Sequence, residues 1–404
     1  SPRLLAAASN GVGLFPVLDF REVAVLTRAL LFSAGLALLG AVLIYSVDSA
    51  RPEPEGAFAK HCATLLIASV LFLFFAFSDY HLLGRRWIWL PFALASIALL
   101  IAVLFIGREV GGAVRWIRVF GFGFQPSEVA RFALIVMLAA KLSEGMEHIR
   151  SIPRVILPAL LTASLFAGLV FLEKDIGIPF MMMVTAGAML IFAGLPLLYV
   201  AVLGVAGSIS LVPLILFAAH RVERFRVLLN PWQDRSGSGW QLIQALYSFS
   251  RGRLFGTGLG SGTQKLGDLP AADTDFIFAT IGEELGLIGT ISVLLVFLVF
   301  FWAAMRVCVN SPDRHGMLLS GGIGISVGVQ ALFIILVNVG LLPTKGLPLP
   351  FVSSGGTSLL ITMAMTGVLV NVASQCLPRD ARCVLPTIET QEDLELFPDT
   401  ARNY

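Results

Sequence analysis

The residues of this sequence that could do chemistry gather in one glycine-rich polar stretch, residues 256–289. The stretch passes through Thr274 and Asp275 and enters an apolar run that still carries Glu283 and Glu284. Carboxylates at the edge of a bilayer core, or within it, are costly unless they find partners, so they are candidates for function. Asp275 is a favoured N-cap residue for the following helix and equally a candidate general base, because partial desolvation raises the basicity of a carboxylate.

Glu283 and Glu284 lie deeper in the same apolar run. Adjacent positions on a helix point about 100° apart, so at most one of the two is expected to face a given cavity. We expect both to make structural hydrogen bonds to polar groups of a neighbouring helix.

A second polar cluster, Gln125 to Arg131, opens another apolar run. Pro126 suits the first turn of a helix, and the carboxylate of Glu128 suits its positive end. Glu128 and Arg131 share one helix face at i, i+3 spacing and can pair. The pair either satisfies itself or faces a water-filled cavity and positions a substrate.

A third cluster lies at residues 341–358, where three prolines and three glycines interrupt two apolar runs. This composition predicts a short outer loop. Lys345 can offer a point charge to phosphate, and the Gly355–Gly356 backbone can offer N–H groups to an anion, although a rigid turn explains the pattern equally well. The glycines at 256–262 lack the GK[ST] context of a nucleotide loop.

The composition places these clusters in a membrane. Of 404 residues, 57% are hydrophobic and only 13% are charged, whereas a soluble domain carries about 25% charged residues. The four cysteines and five histidines show no metal-binding or disulfide spacing. We therefore predict an all-α polytopic protein integral to the membrane, with no nucleic-acid partner.

Apolar runs of roughly 20 residues are long enough to cross a bilayer. By that criterion we predict ten helices, at 23–47, 61–78, 88–106, 126–142, 155–172, 178–194, 197–219, 276–303, 316–340 and 357–376. Residues 1–22 form an N-terminal segment, 23–376 the membrane domain and 377–404 an acidic tail. The only long polar connection, 220–275, is predicted to be ordered and to contain an amphipathic helix along the interface between Trp232 and Phe249.

Basic residues in short loops favour the cytoplasmic side. With both termini cytoplasmic, the inner loops hold Arg85, Arg86, Arg150, Arg154, Arg306 and Arg314. The outer side is also basic, because Arg115, Lys345 and the arginines of the 220–275 loop fall there. An anionic substrate would explain this outer excess.

Three long segments carry specific motifs: GAVRWIRVFGFGFQPSEVARFAL, GTGLGSGTQKLGDLPAADTDFIFATIGEELGLIG and GLLPTKGLPLPFVSSGGTSLL. They resemble the SEDS family (shape, elongation, division and sporulation), whose members include FtsW, RodA and SpoVE, and LPTKGLPLPF is closer to the FtsW branch. With the ten-helix layout, the resemblance covers nearly the whole chain.

The resemblance implies a peptidoglycan glycosyltransferase that polymerises lipid II at the outer face of the bacterial cytoplasmic membrane. It implies a class B penicillin-binding protein as partner, alongside other divisome or elongasome membrane proteins. It places the catalytic aspartate at Asp275. The substrate-binding residues that we predict are Glu128, Arg131, Arg115, Trp116, Gln125, Gln264, Thr274, Lys345, Ser353, Gly355 and Gly356.

The chain departs from the family pattern at several positions. Arg131 replaces a usual Lys, which keeps the charge and changes its geometry. EKDIG replaces a common QPDLG, with Asp175 retained, and SSGGTS replaces SYGGSS. Asp273 stands where His is frequent, and either raises the pKa of Asp275 by like-charge repulsion or helps Asp275 to bind a divalent cation, Mg²⁺ or Mn²⁺.

Two other classes of function would use the same residues. A lipid II flippase would line a translocation path with them, but it needs polar groups through the full membrane depth, whereas the strongest clusters gather at one face. A non-catalytic scaffold for the partner transpeptidase, the class B penicillin-binding protein, would leave Asp275 without a chemical role.

Overall fold

Long apolar runs form helices here, because a helix satisfies its backbone polar groups internally where no water can do so. The computed structural model describes residues 20–50, 56–110, 113–119, 122–149, 151–202, 204–205, 207, 219–235, 237, 239–266 and 269–376. The described helices are α1 Phe20–Ser49, α2 Ala57–Phe77, α3 His81–Gly84, α4 Arg86–Ile106, α5 Pro126–Gly145, α6 Leu157–Leu172, α7 Gly177–Phe192, α8 Ala219–Leu229, α9 Trp240–Gly252, α10 Ile277–Asn310, α11 Arg314–Asn338 and α12 Gly356–Gln375.

Six helical segments of the described chain are long and apolar enough to span a membrane. They are Ala57–Phe77, Arg86–Ile106, Ile152–Leu172, Ile277–Asn310, Arg314–Asn338 and Gly356–Gln375. Large apolar side chains on their outer faces stay exposed, among them Leu66 (70%) and Phe105 (82%), as expected of surfaces that face lipid. The prediction of an all-α polytopic membrane protein is confirmed.

Every predicted span except the seventh coincides with a helix in the described residues. For the seventh, at 197–219, residues 197–202 are helical and 208–218 lie outside the described residues. Residues 1–19 and the tail from 377 onward also lie outside them. The first helix begins at Phe20, a few residues before the predicted boundary.

The segment between α4 and α5 contains a small antiparallel sheet that sequence reasoning did not predict. Its strands are β1 Arg108–Val110, β2 Ala113–Val119 and β3 Phe122–Phe124, with β2 in the middle. Arg115 and Trp116, both predicted to bind substrate, lie on β2. The sheet thus gives both residues an ordered base.

Two helices, joined by a 3₁₀ turn at Pro231–Asp234, occupy the long polar connection. The predicted amphipathic helix is present as α9, with Leu242 and Ile243 buried and Tyr247 45% exposed. Trp232 belongs to the 3₁₀ turn rather than to the helix.

The spanning helix α10 breaks at Gly286, whose φ of 67° is left-handed. The turn after α9 fits into the break. Its N–H groups at Thr257 and Gly258 donate to the carbonyls of Glu283 (2.9 Å) and Glu284 (3.0 Å). On the far side of the break, the N–H of Leu287 donates to a carbonyl of the same turn. The turn therefore satisfies backbone groups that the kink leaves without helical partners.

The two glutamates just before this kink make structural hydrogen bonds in the described residues, but only Glu284 bonds to another helix, as predicted for both. Glu283 accepts hydrogen bonds from the backbone N–H groups of Thr263 (2.8 Å) and Gln264 (3.2 Å). Glu284 accepts from Ser46 on α1 at 2.8 Å and pairs with Lys265 at 2.5 Å. The partner of Glu283 is a loop rather than a helix. Both carboxylates hold residues 257–265 against the kinked helix.

Replacing Lys265 with Met should destabilise the protein strongly. The Lys265 and Glu284 side chains are only 2% and 0% exposed, so the substitution leaves an uncompensated buried carboxylate. We expect a loss of about 3–5 kcal/mol in the free energy of unfolding, measured in detergent. The double variant Lys265→Met/Glu284→Gln should recover part of the loss.

The exposed Lys60→Met, on α2, is the control and should change stability by no more than ~0.5 kcal/mol. A single Lys265 variant as stable as this control would show that the buried pair does not hold the loop.

Candidate functional site

Asp275 lies immediately before α10, in a turn anchored by its backbone. The Asp275 carbonyl accepts a hydrogen bond from Nδ2 of Asn338 at 2.9 Å, and the carbonyl of Thr274 accepts from Oγ of Ser353 at 2.6 Å. Asn338 also accepts from the N–H of Ala279 in the first turn of α10, at 3.1 Å. These contacts fix the turn from α11 and from the 341–358 segment without using the Asp275 carboxylate.

The carboxylate of Asp275 is partly exposed, and no described residue donates a hydrogen bond to it. The N-cap position of α10 is Phe276, and no side chain caps the helix. The prediction that Asp275 is the N-cap of this helix is therefore wrong, because Phe276 holds that position. The side chain is available for chemistry.

The backbone of Gly346 lies against both Asp275 and Arg115. A Cβ at position 346 would stand 2.9 Å from Oδ2 of Asp275 and 3.0 Å from Nη2 of Arg115, closer than ordinary contact allows. Arg115 also donates through Nη1 to the Gly346 carbonyl at 3.3 Å. Glycine at this position lets the loop bring Lys345 beside the aspartate and the arginine.

Asp175, in the turn between α6 and α7, joins the two cations. Its Oδ2 accepts from Nη1 of Arg115 at 3.1 Å, and its Oδ1 pairs with Nζ of Lys345 at 3.1 Å. The N–H of Gly177 donates to Oδ1 at 2.8 Å. Asp175 is fully buried, while the Arg115 and Lys345 side chains remain 16% and 15% exposed.

Arg224 of α8 is a third cation near this group. It donates through Nη1 to the carbonyl of Thr344 at 2.9 Å, so it lies beside the loop that carries Lys345. Burial lowers the pKa of Arg224, the charge of Arg115 lowers it further, and Asp175 and Asp275 oppose these effects.

Sequence reasoning did not select Asp175 for the site, and it considered Arg224 only as one of the arginines of the 220–275 loop. A carboxylate between two closely spaced apolar spans was the available signal for Asp175. Nothing in the local sequence distinguished Arg224 from the other arginines of its loop.

The pKa values in the cluster follow from burial and from neighbouring charges. Burial raises the pKa of Asp275 to about 6, the charges of Asp273 and Asp175 add to the rise, and Arg115 and Arg224 oppose it. For Asp175, burial also works against ionisation, but Lys345 and Arg115 hold its pKa below the ordinary value. Asp175 is therefore an ion-pair partner, and Asp275 is an ionised base of raised basicity at neutral pH.

The predicted pair Glu128–Arg131 lies elsewhere, with side chains 0% and 1% exposed. Nη2 of Arg131 is 2.9 Å from Oε2 of Glu128, and Nη1 donates to Oε1 of Gln330. Gln330 in turn donates to the carbonyl of Pro348 at 2.9 Å. Of the two alternatives, the structure favours the self-contained charge pair, which is linked to the 341–358 segment through Gln330.

Three further predicted residues, Ser353, Thr274 and Trp116, make contacts that hold segments of the site in place. Ser353 donates to Thr274 and accepts from the N–H of Leu349 at 2.7 Å, so it ties two segments together. Thr274 contributes its backbone to the same contact, and the Trp116 ring packs against Gly123.

The four other predicted binding residues lie at a helix start, in a buried loop and before α5. Gly355 and Gly356 form the start of α12. Gln264 is buried in the loop that Glu283 holds, and Gln125 donates its N–H to the hydroxyl of Thr357 at 3.0 Å. The substrate-binding roles of these four residues stay predictions.

The candidate metal ligands Asp273 and Asp275 are neighbours in one turn. Asp273 accepts hydrogen bonds from Ser354, through Oδ2 at 3.3 Å and through its carbonyl at 2.9 Å. Within the described residues, no group of three or more His, Cys, Asp or Glu side chains could hold a metal ion. A Mg²⁺ ion needs only one or two protein carboxylates when substrate phosphates and water complete its shell, so the pair fits that mode of binding.

Known proteins resemble this chain over most of its length. The model of the family that comprises FtsW, RodA and SpoVE, described as cell cycle protein, matches residues 25–376. A relative from Trichlorobacter lovleyi, named probable peptidoglycan glycosyltransferase FtsW, is 38% identical over 352 residues, which cover 85% of this chain and 92% of the relative. Stage V sporulation protein E of Bacillus subtilis is 36% identical over 344 residues, covering 84% and 94%.

Solved structures share the fold. One match is a chain of a peptidoglycan synthase complex, from a structure described as showing how that complex coordinates polymerization and crosslinking. This chain matches it with a TM-score of 0.72 and 25% identity, over 86% of this chain and 98% of that chain. The rod shape determining protein RodA of Thermus thermophilus matches with a TM-score of 0.63 and 24% identity, over 85% and 95%.

The family match spans the described membrane helices, and it includes the β2 strand, the Asp175 turn, the Asp275 turn and the Lys345 loop. This chain belongs to the FtsW, RodA and SpoVE family, the SEDS family, and is most similar to its FtsW branch.

Proposed function

We propose that this chain is a peptidoglycan glycosyltransferase that polymerises lipid II into glycan strands at the outer face of the cytoplasmic membrane. One observation carries the proposal. The Asp275 carboxylate is open and without a hydrogen-bond donor among the described residues, and its pKa is raised to about 6 beside Arg115. Relatives named peptidoglycan glycosyltransferase support the reaction class.

Asp275 acts as the general base in this proposal. Its carboxylate accepts the proton of the GlcNAc 4-hydroxyl of the incoming lipid II, and the resulting oxygen attacks the anomeric carbon of the MurNAc that ends the growing chain. The bond from that carbon to the undecaprenyl diphosphate breaks with inversion. A general base of this kind contributes about 10²–10⁴-fold to the rate.

The diphosphate leaving group needs positive charge that is already in place. Arg115 and Lys345 are both partly exposed and are held by the one carboxylate of Asp175, so the three groups together keep a net positive charge. Arg224 adds a third cation beside the Lys345 loop. Arg131, predicted to bind substrate, is buried with Glu128 and is better placed to hold the loop through Gln330.

A divalent cation would be held by Asp275 and Asp273 together with substrate phosphates. Bound there, Mg²⁺ or Mn²⁺ would supply further positive charge to the departing diphosphate.

The flippase alternative requires open polar groups through the membrane depth. In the described residues, the charges within the apolar helices, Glu128, Arg131, Glu283 and Glu284, are buried against polar partners. Among the predicted site residues, the partly exposed charges of Asp275, Arg115 and Lys345 belong to the turns and the strand around Asp275. This distribution favours a reaction at one face over a translocation path.

A transpeptidase of the class B penicillin-binding protein type is the proposed partner, with other divisome or elongasome membrane proteins. The match to a chain of a peptidoglycan synthase complex supports such an assembly. We further propose that the protein is in the bacterial cytoplasmic membrane with both termini in the cytoplasm.

Replacing Asp275 with Asn should abolish most polymerisation. The amide has the shape of the carboxylate but cannot accept the hydroxyl proton, so we expect the rate to fall at least ~100-fold. The assay follows glycan ladders formed from labelled lipid II by the purified protein with its class B partner. The exposed Glu109→Gln, next to β2, is the matched control. Ladders from Asp275→Asn at the control rate would exclude Asp275 as the base.

The polymerisation rate should rise with pH through the pKa of Asp275. The base works only when ionised, and its pKa of about 6 places the rise between about pH 5 and pH 7. Because the charge of Asp273 contributes to the raised pKa, Asp273→Asn should move the midpoint to lower pH. A rate independent of pH in this window, or an unmoved midpoint, would contradict this assignment of the base.

Asp273→Asn should also weaken the response to Mn²⁺ if the two aspartates bind the ion together. We expect the half-saturating Mn²⁺ concentration to rise by about tenfold or more, as for other losses in the surroundings of a metal. Mn²⁺ binding to the resting protein, followed by electron paramagnetic resonance, gives a readout without turnover. Equal Mn²⁺ affinity for wild type and variant would remove Asp273 from the metal site.

A further inference from the structure

Glu173 is a buried acid that the proposed reaction does not use. It directly follows α6 and lies two residues before Asp175. The residue is 0% exposed, and neither carboxyl oxygen has a hydrogen-bond partner among the described residues. An ionised carboxylate without donors would be very costly at such a position, whereas a protonated carboxylic acid is tolerated. The geometry therefore indicates that Glu173 is neutral when the site is at rest.

The surroundings of Glu173 support the neutral form. Burial raises its pKa to about 8, and the negative charge of Asp175 adds to the rise, while Arg115 opposes it. Asp175 comes from the same turn and Arg115 from β2. Lys345, the other cation at Asp175, comes from the 341–358 segment. Glu173 thus shares its electrostatic surroundings with the charged group that the proposed reaction needs.

The charge of this group depends on the Glu173 proton. With Glu173 neutral, the two cations Arg115 and Lys345 face the single carboxylate of Asp175, which leaves a net charge of +1 for an anionic diphosphate. Ionised Glu173 would add a second carboxylate and cancel that charge. It would also be a new buried acceptor that attracts Arg115, whose Nη1 now donates to Asp175 and Gly346.

We propose that Glu173 is a positioning residue of the glycosyltransferase site, which in its protonated form keeps Arg115 and Lys345 paired with Asp175 and available to the substrate diphosphate. This inference rests on the proposed function. It assigns Glu173 no contact with the substrate. Its role is to leave the cations in place by remaining neutral.

The first test compares polymerisation at pH 7.5 and pH 9 for wild type and Glu173→Gln. With a pKa of about 8, the protonated fraction of Glu173 falls ~8-fold between these values. We expect the wild-type rate to fall by a similar factor, and the rate of Glu173→Gln at pH 9 to stay within about twofold of its own rate at pH 7.5. Loss of a proton from another group of the site would lower the rate of Glu173→Gln as well, so the difference between the two pH dependences reports Glu173.

Glu147→Gln is the matched control, because Glu147 is an exposed carboxylate that pairs with Arg314. It should show the same alkaline loss as wild type. An alkaline loss in Glu173→Gln as large as in wild type would overturn the positioning role.

A second measurement needs no lipid II. In the unfolded chain Glu173 ionises with the ordinary pKa of 4.5, whereas in the folded protein it keeps its proton up to about pH 8. Unfolding then releases a proton in this window, so wild type should lose thermal stability relative to Glu173→Gln as pH rises from about 5 to 8, with no further relative change above it.

A constant difference in thermal midpoint across that window would show that Glu173 is not the neutral acid, and would overturn the inference. A wild-type protein that makes no glycan at any pH would overturn the proposed function and the positioning role together. In that case the thermal titration would still separate the two failures, because it reports the protonation of Glu173 alone.

Discussion

The buried carboxylate of Asp175 is the contact on which the arrangement of the site depends. Arg115 comes from a strand, Lys345 from a proline-rich loop and Gly177 from the start of a helix, and all three donate to one side chain. A fully buried carboxylate needs such donors, because an unpaired one would be neutralised or would destabilise the fold. The requirement for partners therefore holds three distant segments together. Asp275 gains its electrostatic surroundings from that assembly and contributes little to holding it.

The kink of α10, which follows the Asp275 turn along the chain, supplies a second constraint. Its broken hydrogen bonds are completed by the turn after α9, and the glutamates before the break hold residues 257–265 by charge and hydrogen bonds. The polar loop that leads to Asp275 is thus fastened to the same helix that begins just after it. Gly286 makes this possible, because its left-handed backbone opens the helix where the loop enters. The polar connection is thereby ordered by backbone and charged contacts, together with a small apolar cluster that includes Ala245, Leu269 and Ala272.

Much of the fold followed from the sequence, since a run of about 20 apolar residues has few alternatives to a spanning helix. The helix α9 was also predictable, because its apolar residues recur at helical spacing. The β1–β3 sheet was not predicted, because its short strands are stabilised by pairing between residues that no local period marks. Asp275 and Lys345 were identified by type and motif. Asp175 and Glu173 were not, and Arg224 was not singled out from the other arginines of its loop, because their importance comes from which segments meet in space.

What separates Asp275 from the other acids is the state of its hydrogen bonds. Glu283, Glu284 and Asp175 are each supplied with donors, and their charges stabilise the structure around them. Glu173 is buried without donors, which favours its protonated form. Asp275 alone among these five combines an open carboxylate with a raised pKa, so it can hold negative charge and still accept a proton readily. The acids thus divide the work: Asp175 and Glu284 hold cations, Glu283 holds backbone N–H groups, and the open carboxylate of Asp275 is the base of the proposed reaction.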